Sequence, residues 1–160
     1  MDDYERNILN NAERHGWFCS YVFDPDQEDP GFAYTVGFTE SLAAPECIMF
    51  GLGQEIMHLA LWEIFRQVKA GKALEDGARW GGLLEGFDCI SRAVHPTNIK
   101  REYLNSAMWF WRHSGQDGLV PVYQIIWPGA VDGLFPWEEG CAELVRDLQP
   151  PLYLPSEELQ

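Results

Sequence analysis

Glu46 is the acidic residue whose place in the sequence most suggests chemistry. It follows Pro45 and precedes the apolar run CIMFGL (47–52), which is typical of a strand buried on both faces. Burial at the end of such a strand would raise the pKa of the carboxyl group by desolvation. Glu46 is therefore a candidate functional residue, and the simpler alternatives are that it caps a helix or accepts a hydrogen bond.

The histidines and cysteines show no spacing that predicts a metal site or a catalytic set. No HxH, HExxH or C-x-x-C motif is present, although ligands gathered from distant positions remain an alternative. The segment FGLGQE (50–55) resembles a phosphate-binding loop only loosely, because it lacks the lysine and carries Glu55 in the first turn of the helix. There is no nucleophile elbow and no dinucleotide fingerprint, so no cofactor is indicated. Four cysteines are predicted to be reduced thiols: Cys19, Cys47, Cys89 and Cys141.

The stretch GFAYTVGFTE (31–40) predicts a strand with two unequal faces. Alternation puts bulky side chains on one face and small ones on the other, which we call the small face: Ala33, Thr35 and Gly37. Something must approach the backbone closely there, either a helix of the same chain, a ligand or another chain. We expect the helix at 53–70 to pack against it.

Aromatic residues form the second group of candidate binding residues. Trp109 lies on a predicted helix that carries another tryptophan on a different side, so one of the two must face away from the core. Trp127 and Trp137 flank the turn WPGAVDGLFPW, and tryptophan is enriched at binding hot spots, although core packing is the simpler alternative. We expect Trp137 to fold onto the sheet edge near Tyr34 and Gln124, so that the turn covers the small face.

The elements that would position these residues alternate irregularly along the chain. The predicted helices are a short polar one at 2–15, an amphipathic one at 54–70, one at about 98–113 and a final short one near 140–149. The predicted strands are 17–23, 32–38, 47–52, two strands that form a hairpin around Gly86, and 119–127. Pro121 favours an edge position or a bulge for the last strand, because proline has no N–H to donate to a neighbour.

This order of elements predicts an α+β fold with a mainly antiparallel, twisted sheet of about five or six strands and two principal helices. A half-open barrel is the alternative, because a glycine-rich sheet bends easily. We expect a single domain over residues 1–148, followed by an extended C-terminal tail over 149–160.

The composition and net charge of the chain limit the classes of partner that it can bind. The chain has 160 residues, of which 46% are hydrophobic, so its core needs no disulfide or metal. Its net charge of -14 disfavours nucleic acid and anionic membranes and favours a basic protein partner, although solubility alone is the simpler explanation. The acidic N-terminus is unlike a signal peptide, and no apolar run reaches the ~18 residues of a membrane span, so we expect a cytoplasmic protein.

Five sequence blocks, in order, resemble the bacterial family DUF4262, a domain of unknown function: YTVGFTESLAAPECIMFGL, GGLLEGFDC, YLNSAMWFW, QIIWP and GLFPWEEG. The resemblance runs from about Gly16 to Leu152 and implies a common fold unit, without a reaction. Two positions depart from the family pattern. Gly129 stands where an acid usually follows the WP pair, and Asn105 stands where a glycine usually follows the YL pair. The matching positions are Tyr34, Thr35, Gly37, Pro45, Glu46, Gly51, Tyr103, Trp109, Gln124, Trp127, Pro128, Gly133, Phe135, Pro136 and Trp137.

Two functions compete on this sequence. The leading hypothesis is a non-catalytic binding module that receives a basic protein through an acidic surface and exposed tryptophans, as an immunity or inhibitor protein receives its toxin. The alternative is an enzyme or sensor for a small molecule, with an aromatic-lined pocket beside the 32–38 strand. The candidate binding residues are Tyr34, Thr35, Gly37, Glu46, Trp109, Gln124, Trp127 and Trp137.

Overall fold

The computed structural model describes residues 1–156. Its strands are β1 (Phe18–Val22), β2 (Phe32–Val36), β3 (Glu46–Phe50), β4 (Arg79–Leu84), β5 (Phe87–Ala93) and β6 (Val122–Ile126). Its helices are α1 (Asp3–His15), α2 (Phe38–Ser41), α3 (Gln54–Lys69), α4 (Arg101–His113) and α5 (Glu143–Asp147), with a 3-10 turn at Pro96–Asn98.

The six strands form one sheet in the order β1-β2-β3-β6-β5-β4. β3 and β6 pair in parallel, and all other neighbours pair antiparallel. The predicted α+β fold with a mainly antiparallel sheet is confirmed. The sheet is open, with β1 and β4 at its edges, so it is not the alternative half-barrel. Three long helices accompany it rather than two, since α1 has 13 residues, as many as α4.

The helices cover both faces of the sheet. α3 buries an apolar side that includes Met57, Leu61 and Ile64 against one face. α1 and α4 bury Ile8 and Phe110, among others, against the opposite face. Each large apolar side chain removed from water contributes roughly 1.5–3 kcal/mol. Two apolar cores therefore hold the sheet as the middle layer of the molecule.

The two faces of β2 meet different helices. Ala33 belongs to the core beneath α3, and Thr35 is completely buried. Tyr34 and Val36 belong to the core beneath α1 and α4. The small face is therefore covered by α3, as expected. At its end, Gly37 has φ +120°, and a Cβ there would lie only 3.1 Å from backbone atoms of residues 16 and 17, so the turn into α2 requires glycine.

The predicted edge position of the last strand is wrong. β6 lies in the interior of the sheet, between β3 and β5. Pro121 is compatible with this because the strand begins one residue after it, so no N–H is missing from the β6 ladder. The carbonyl of Pro121 accepts the N–H of Glu46 (3.0 Å), which aligns the start of β6 with the start of β3.

The segment after α5 returns along β6 and packs against the sheet. Leu152 is completely buried, and its N–H donates to Oε1 of Gln124 (3.0 Å). Nε2 of Gln124 donates to the carbonyl of Pro150 (2.8 Å). Nδ2 of Asn98 donates to the carbonyls of Leu152 (2.8 Å) and Leu154 (2.7 Å). The first part of the predicted tail is thus held by buried amides, and residues 157–160 lie outside the described residues.

Candidate functional site

The carboxyl group of Glu46 is enclosed by hydrogen-bond donors at the start of α2. The hydroxyl of Thr35 (2.7 Å) and the N–H of Phe38 (3.0 Å) donate to Oε1. The N–H of Gly37 donates to Oε2 (2.8 Å), and Thr39 adds longer bonds from its N–H (3.5 Å) and hydroxyl (3.4 Å). We call this group of donors the Glu46 network. The glutamate at its centre has no exposed surface.

Two opposing effects set the pKa of Glu46. Burial raises the pKa of the carboxyl group to about 7, against the lowering effect of the hydrogen bonds from Thr35 and the backbone. A pKa near neutrality suits acid–base catalysis, but a fully enclosed carboxyl group has no route to a substrate in this conformation. The network instead ties the first residue of β3 to the turn between β2 and α2.

Tyr34 and Gln124 each have an internal hydrogen-bonding partner. Leu104 has non-helical dihedrals (φ -136°, ψ 30°) inside α4, and the N–H of Ser106 just beyond it donates to the hydroxyl of Tyr34 (3.0 Å). Gln124 is engaged by the C-terminal segment. Both side chains lie on the α4 side of the sheet, whereas Thr35 lies on the α3 side. All four polar candidates are buried, so Tyr34, Thr35, Glu46 and Gln124 do not line the common cleft that the small-molecule alternative requires.

The prediction that Trp137 covers the small face is wrong. Its ring stacks on Phe135 (5.3 Å between centroids), meets Tyr153 edge-on (5.7 Å) and lies 4.9 Å from the guanidinium of Arg92. Cys89 packs beneath α3, and alternation along β5 therefore turns Arg92 to the opposite face. Trp137 is thus on the face away from the small face, which α3 already occupies. The ring is 40% exposed.

Trp109 lies apart from the other candidates. It is half-buried on the α4 side and stacks on His113, with 4.8 Å between ring centroids. Together with Tyr4 and Arg112 it lines a cleft of about 260 Å³ between α1 and α4. The structure therefore distributes the predicted aromatic residues over three separate regions.

Trp127 lines an apolar cleft between α3 and the β4–β5 hairpin. Its indole N–H donates to the carbonyl of Phe50 (2.7 Å), and its backbone N–H donates to Oε1 of Gln149 (3.0 Å), so the ring is held in place. The cleft has a volume of about 490 Å³. We call it the Trp127 cleft, and the residues that define it are Leu52, Ile56, Leu59, Leu84, Phe87 and Trp127.

Two residues of the Trp127 cleft are apolar yet exposed. Ile56 is 49% exposed and Leu59 is 65% exposed, both on the outer side of α3. They fall outside the apolar stripe that predicted the helix. Their position was therefore the signal in the sequence for this surface, because apolar residues beyond the buried stripe of a helix face solvent or a partner.

A third cleft, of about 520 Å³, lies at the edge of the sheet between the end of α1, β1 and α3. Sequence analysis missed it, because its residues come from three elements that only the fold brings together. Cys19 lines it, but burial raises the pKa of this thiol to about 11, so it is protonated at neutral pH and a weak nucleophile. We call it the His–Trp cleft, and its other principal residues are Asn11, His15, Trp17, His58 and Trp62.

Neither a grouped set of metal ligands nor a membrane-spanning helix is found in the part of the chain that the structure describes. Among residues 1–156, no three His, Cys, Asp or Glu side chains are grouped so that they could hold a metal ion. Within the same range, no helix combines the length and the apolar character needed to cross a membrane.

Comparison with known protein families shows which family the chain belongs to. The model of a family described as a domain of unknown function, DUF4262, matches residues 11–142. The chain belongs to this family. No curated protein and no solved structure gives a significant match. Membership of DUF4262 thus agrees with the sequence blocks around the Glu46 network and the turn between Trp127 and Trp137, and it assigns no activity.

Proposed function

We propose that this DUF4262 protein is a non-catalytic binding module whose Trp127 cleft receives a basic protein partner. The observation that carries the proposal is the exposure of Ile56 and Leu59 beside the buried ring of Trp127. Apolar side chains around a concave, well-ordered aromatic wall are typical of protein interfaces, where a buried centre contributes most of the affinity.

Charge supports a basic partner. Glu85 is the one charged residue that lines the cleft, and Glu55, next to Ile56, is exposed. The whole chain carries 25 acidic and 11 basic residues. Within residues 1–156, just four ion pairs form, so most carboxylates are left to act on a partner. A field of this sign accelerates association with a basic surface and weakens as salt is added.

The Trp127 cleft is also held in a fixed shape before any partner binds. The indole of Trp127 is anchored to β3 through Phe50, and Gln149 holds the backbone of Trp127 from both sides, at 3.0 Å to its N–H and 3.0 Å to its carbonyl. A surface that is already ordered loses little conformational entropy on binding.

All four cysteines lie in the described residues as free thiols, which supports the proposal that the protein works in the reducing cytoplasm.

Affinity capture with matched surface variants tests this function. The double variant Ile56→Asp, Leu59→Asp should lose a basic protein that the wild type retains at low salt, because it places two charges in the apolar centre. Leu119→Asp is the control, since Leu119 is 52% exposed and lies in the loop before β6. Retention of the same proteins by all three baits, or enrichment of acidic proteins by the wild type, would contradict the proposal.

A further inference from the structure

The His–Trp cleft has a wall of stacked aromatic rings. Trp17 and Trp62 lie nearly parallel, with centroids 5.5 Å apart and 25° between ring planes. Phe65 lies beside this pair, 5.4 Å from Trp62 with 4° between planes and 6.4 Å from Trp17 with 21° between planes. Trp17 is buried and Trp62 is half-buried, so the inner ring is fixed by the core while the outer ring borders the cleft. Such a wall favours a flat ligand that can extend the stack.

Two imidazoles border the same space. His15 lies at the end of α1, and His58 lies on α3 with its ring 5.6 Å from that of Trp17. Within residues 1–156, neither imidazole has a hydrogen-bonding partner. Asn11 adds a carboxamide, whose NH₂ group bonds to Asn7. An imidazole and a carboxamide can each donate and accept, which matches the ring nitrogens and N–H groups at the edge of a heteroaromatic molecule.

Charge restricts the ligand further. No Asp, Glu, Lys or Arg is among the residues that line this cleft, although the chain as a whole carries a net charge of -14. Arg66 lies beside the cleft, with its guanidinium 5.3 Å from the ring centroid of Trp62, but it is not a lining residue. A phosphate would therefore find no lysine or arginine inside the cleft and would be repelled by the surrounding field. The volume of about 520 Å³ falls within the range of small-molecule sites.

We propose that the His–Trp cleft binds an uncharged, planar nitrogen heteroaromatic molecule of bicyclic size, stacked against Trp62 and hydrogen-bonded by His15 and His58. Purine bases and nucleosides share this chemistry, because a sugar on the ring can point to solvent through the open side of the cleft. The site is separate from the Trp127 cleft, with which it shares Leu59 as a wall.

Isothermal titration with adenine, adenosine and AMP tests the inference. Adenine and adenosine should bind saturably below about 10 mM, whereas AMP should bind at least tenfold more weakly, and the gap should narrow as salt is added. Equal binding of adenine and adenosine would place the sugar in solvent, and a clear preference for adenine would restrict the class to free bases. Absence of saturable binding by both uncharged probes, or tighter binding of AMP, would overturn the proposal.

Substitutions of residues that line the His–Trp cleft test whether adenine binds there. Trp62→Ala should weaken adenine binding tenfold or more through lost stacking, and His58→Ala should weaken it severalfold. His58 is exposed, so its replacement keeps the fold even where Trp62→Ala does not. Ile56→Asp is the control, because it alters the Trp127 cleft and should leave adenine binding unchanged. Unchanged affinity in His58→Ala and Trp62→Ala would overturn the proposal, whatever the outcome for the protein partner.

Discussion

Raising the pH should destabilise the folded protein through one carboxyl group, that of Glu46. Burial raises its pKa in the folded chain to about 7, above the ordinary 4.5. The folded state therefore binds the proton more tightly than the unfolded state. The resulting stabilisation is fully present below a pH of 4.5 and is lost as the pH rises through about 7.

The size of the effect follows from the two pKa values. Each pKa unit corresponds to about 1.4 kcal/mol, and the difference between about 7 and 4.5 corresponds to roughly 3 kcal/mol of unfolding free energy. The hydrogen bonds from Thr35, Gly37 and Phe38 favour the charged form, and the pKa of about 7 is the net result of burial and of these bonds. A well-folded small domain has only about 5–15 kcal/mol in total, so the change should be easy to measure.

Urea unfolding, followed by tryptophan fluorescence at several pH values between about 5 and 8.5, measures this dependence. Glu46→Gln removes the titration and should flatten the profile across this range. At about pH 5 it should also cost about 1–3 kcal/mol relative to the wild type, because the amide NH₂ would face the N–H donor of Gly37, and this difference should shrink as the pH rises and the wild type loses stability. Glu40→Gln is the control, since it removes an exposed carboxylate from α2 and should keep the wild-type slope.

One result would refute this reasoning: a wild-type unfolding free energy that stays constant or rises between about pH 5 and pH 8.5 while Glu46→Gln shows the same slope. Carboxyl ¹³C NMR of the folded wild type checks the cause directly. The Glu46 signal should titrate near pH 7, and a midpoint at or below the ordinary value of 4.5 would show that the donors outweigh burial.

Four further substitutions have effects that urea unfolding can measure. Tyr34→Phe removes the acceptor of the buried Ser106 N–H (3.0 Å) and should cost about 1–3 kcal/mol, so an unchanged stability would contradict the role assigned to that hydroxyl. Gly37→Ala should cost at least about 1 kcal/mol, because φ is +120° and a Cβ would lie 3.1 Å from backbone atoms of the α1–β1 connection; a neutral result would mean that the turn can rearrange. Trp80→Ala should cost about 3–5 kcal/mol as a fully buried ring, and Trp137→Ala should cost clearly less because that ring is 40% exposed; equal losses would place Trp137 in the core.

Local pattern in the sequence determined the elements and much of their burial. The apolar run at 47–52 predicted a central strand, and every residue of β3 is buried. The stripe of α3 was readable from its spacing, since a helix that packs on a sheet must repeat apolar residues at its own period. The sequence also predicted that Glu46 would be important, because a buried carboxyl group at the first residue of a buried strand needs hydrogen-bond donors.

Only the tertiary structure decided how distant segments meet. The parallel pairing of β3 with β6 joins residues more than 70 positions apart, as between Glu46 and Val122, and no local pattern reports such a pairing. Pro121 looked incompatible with a central strand until the structure placed it one residue before the strand. Trp137 packs with Arg92 and Tyr153 on the other face of the sheet, because α3 covers the small face. Periodicity records which side of an element is apolar, whereas the identity of its neighbour depends on the packing of the whole chain.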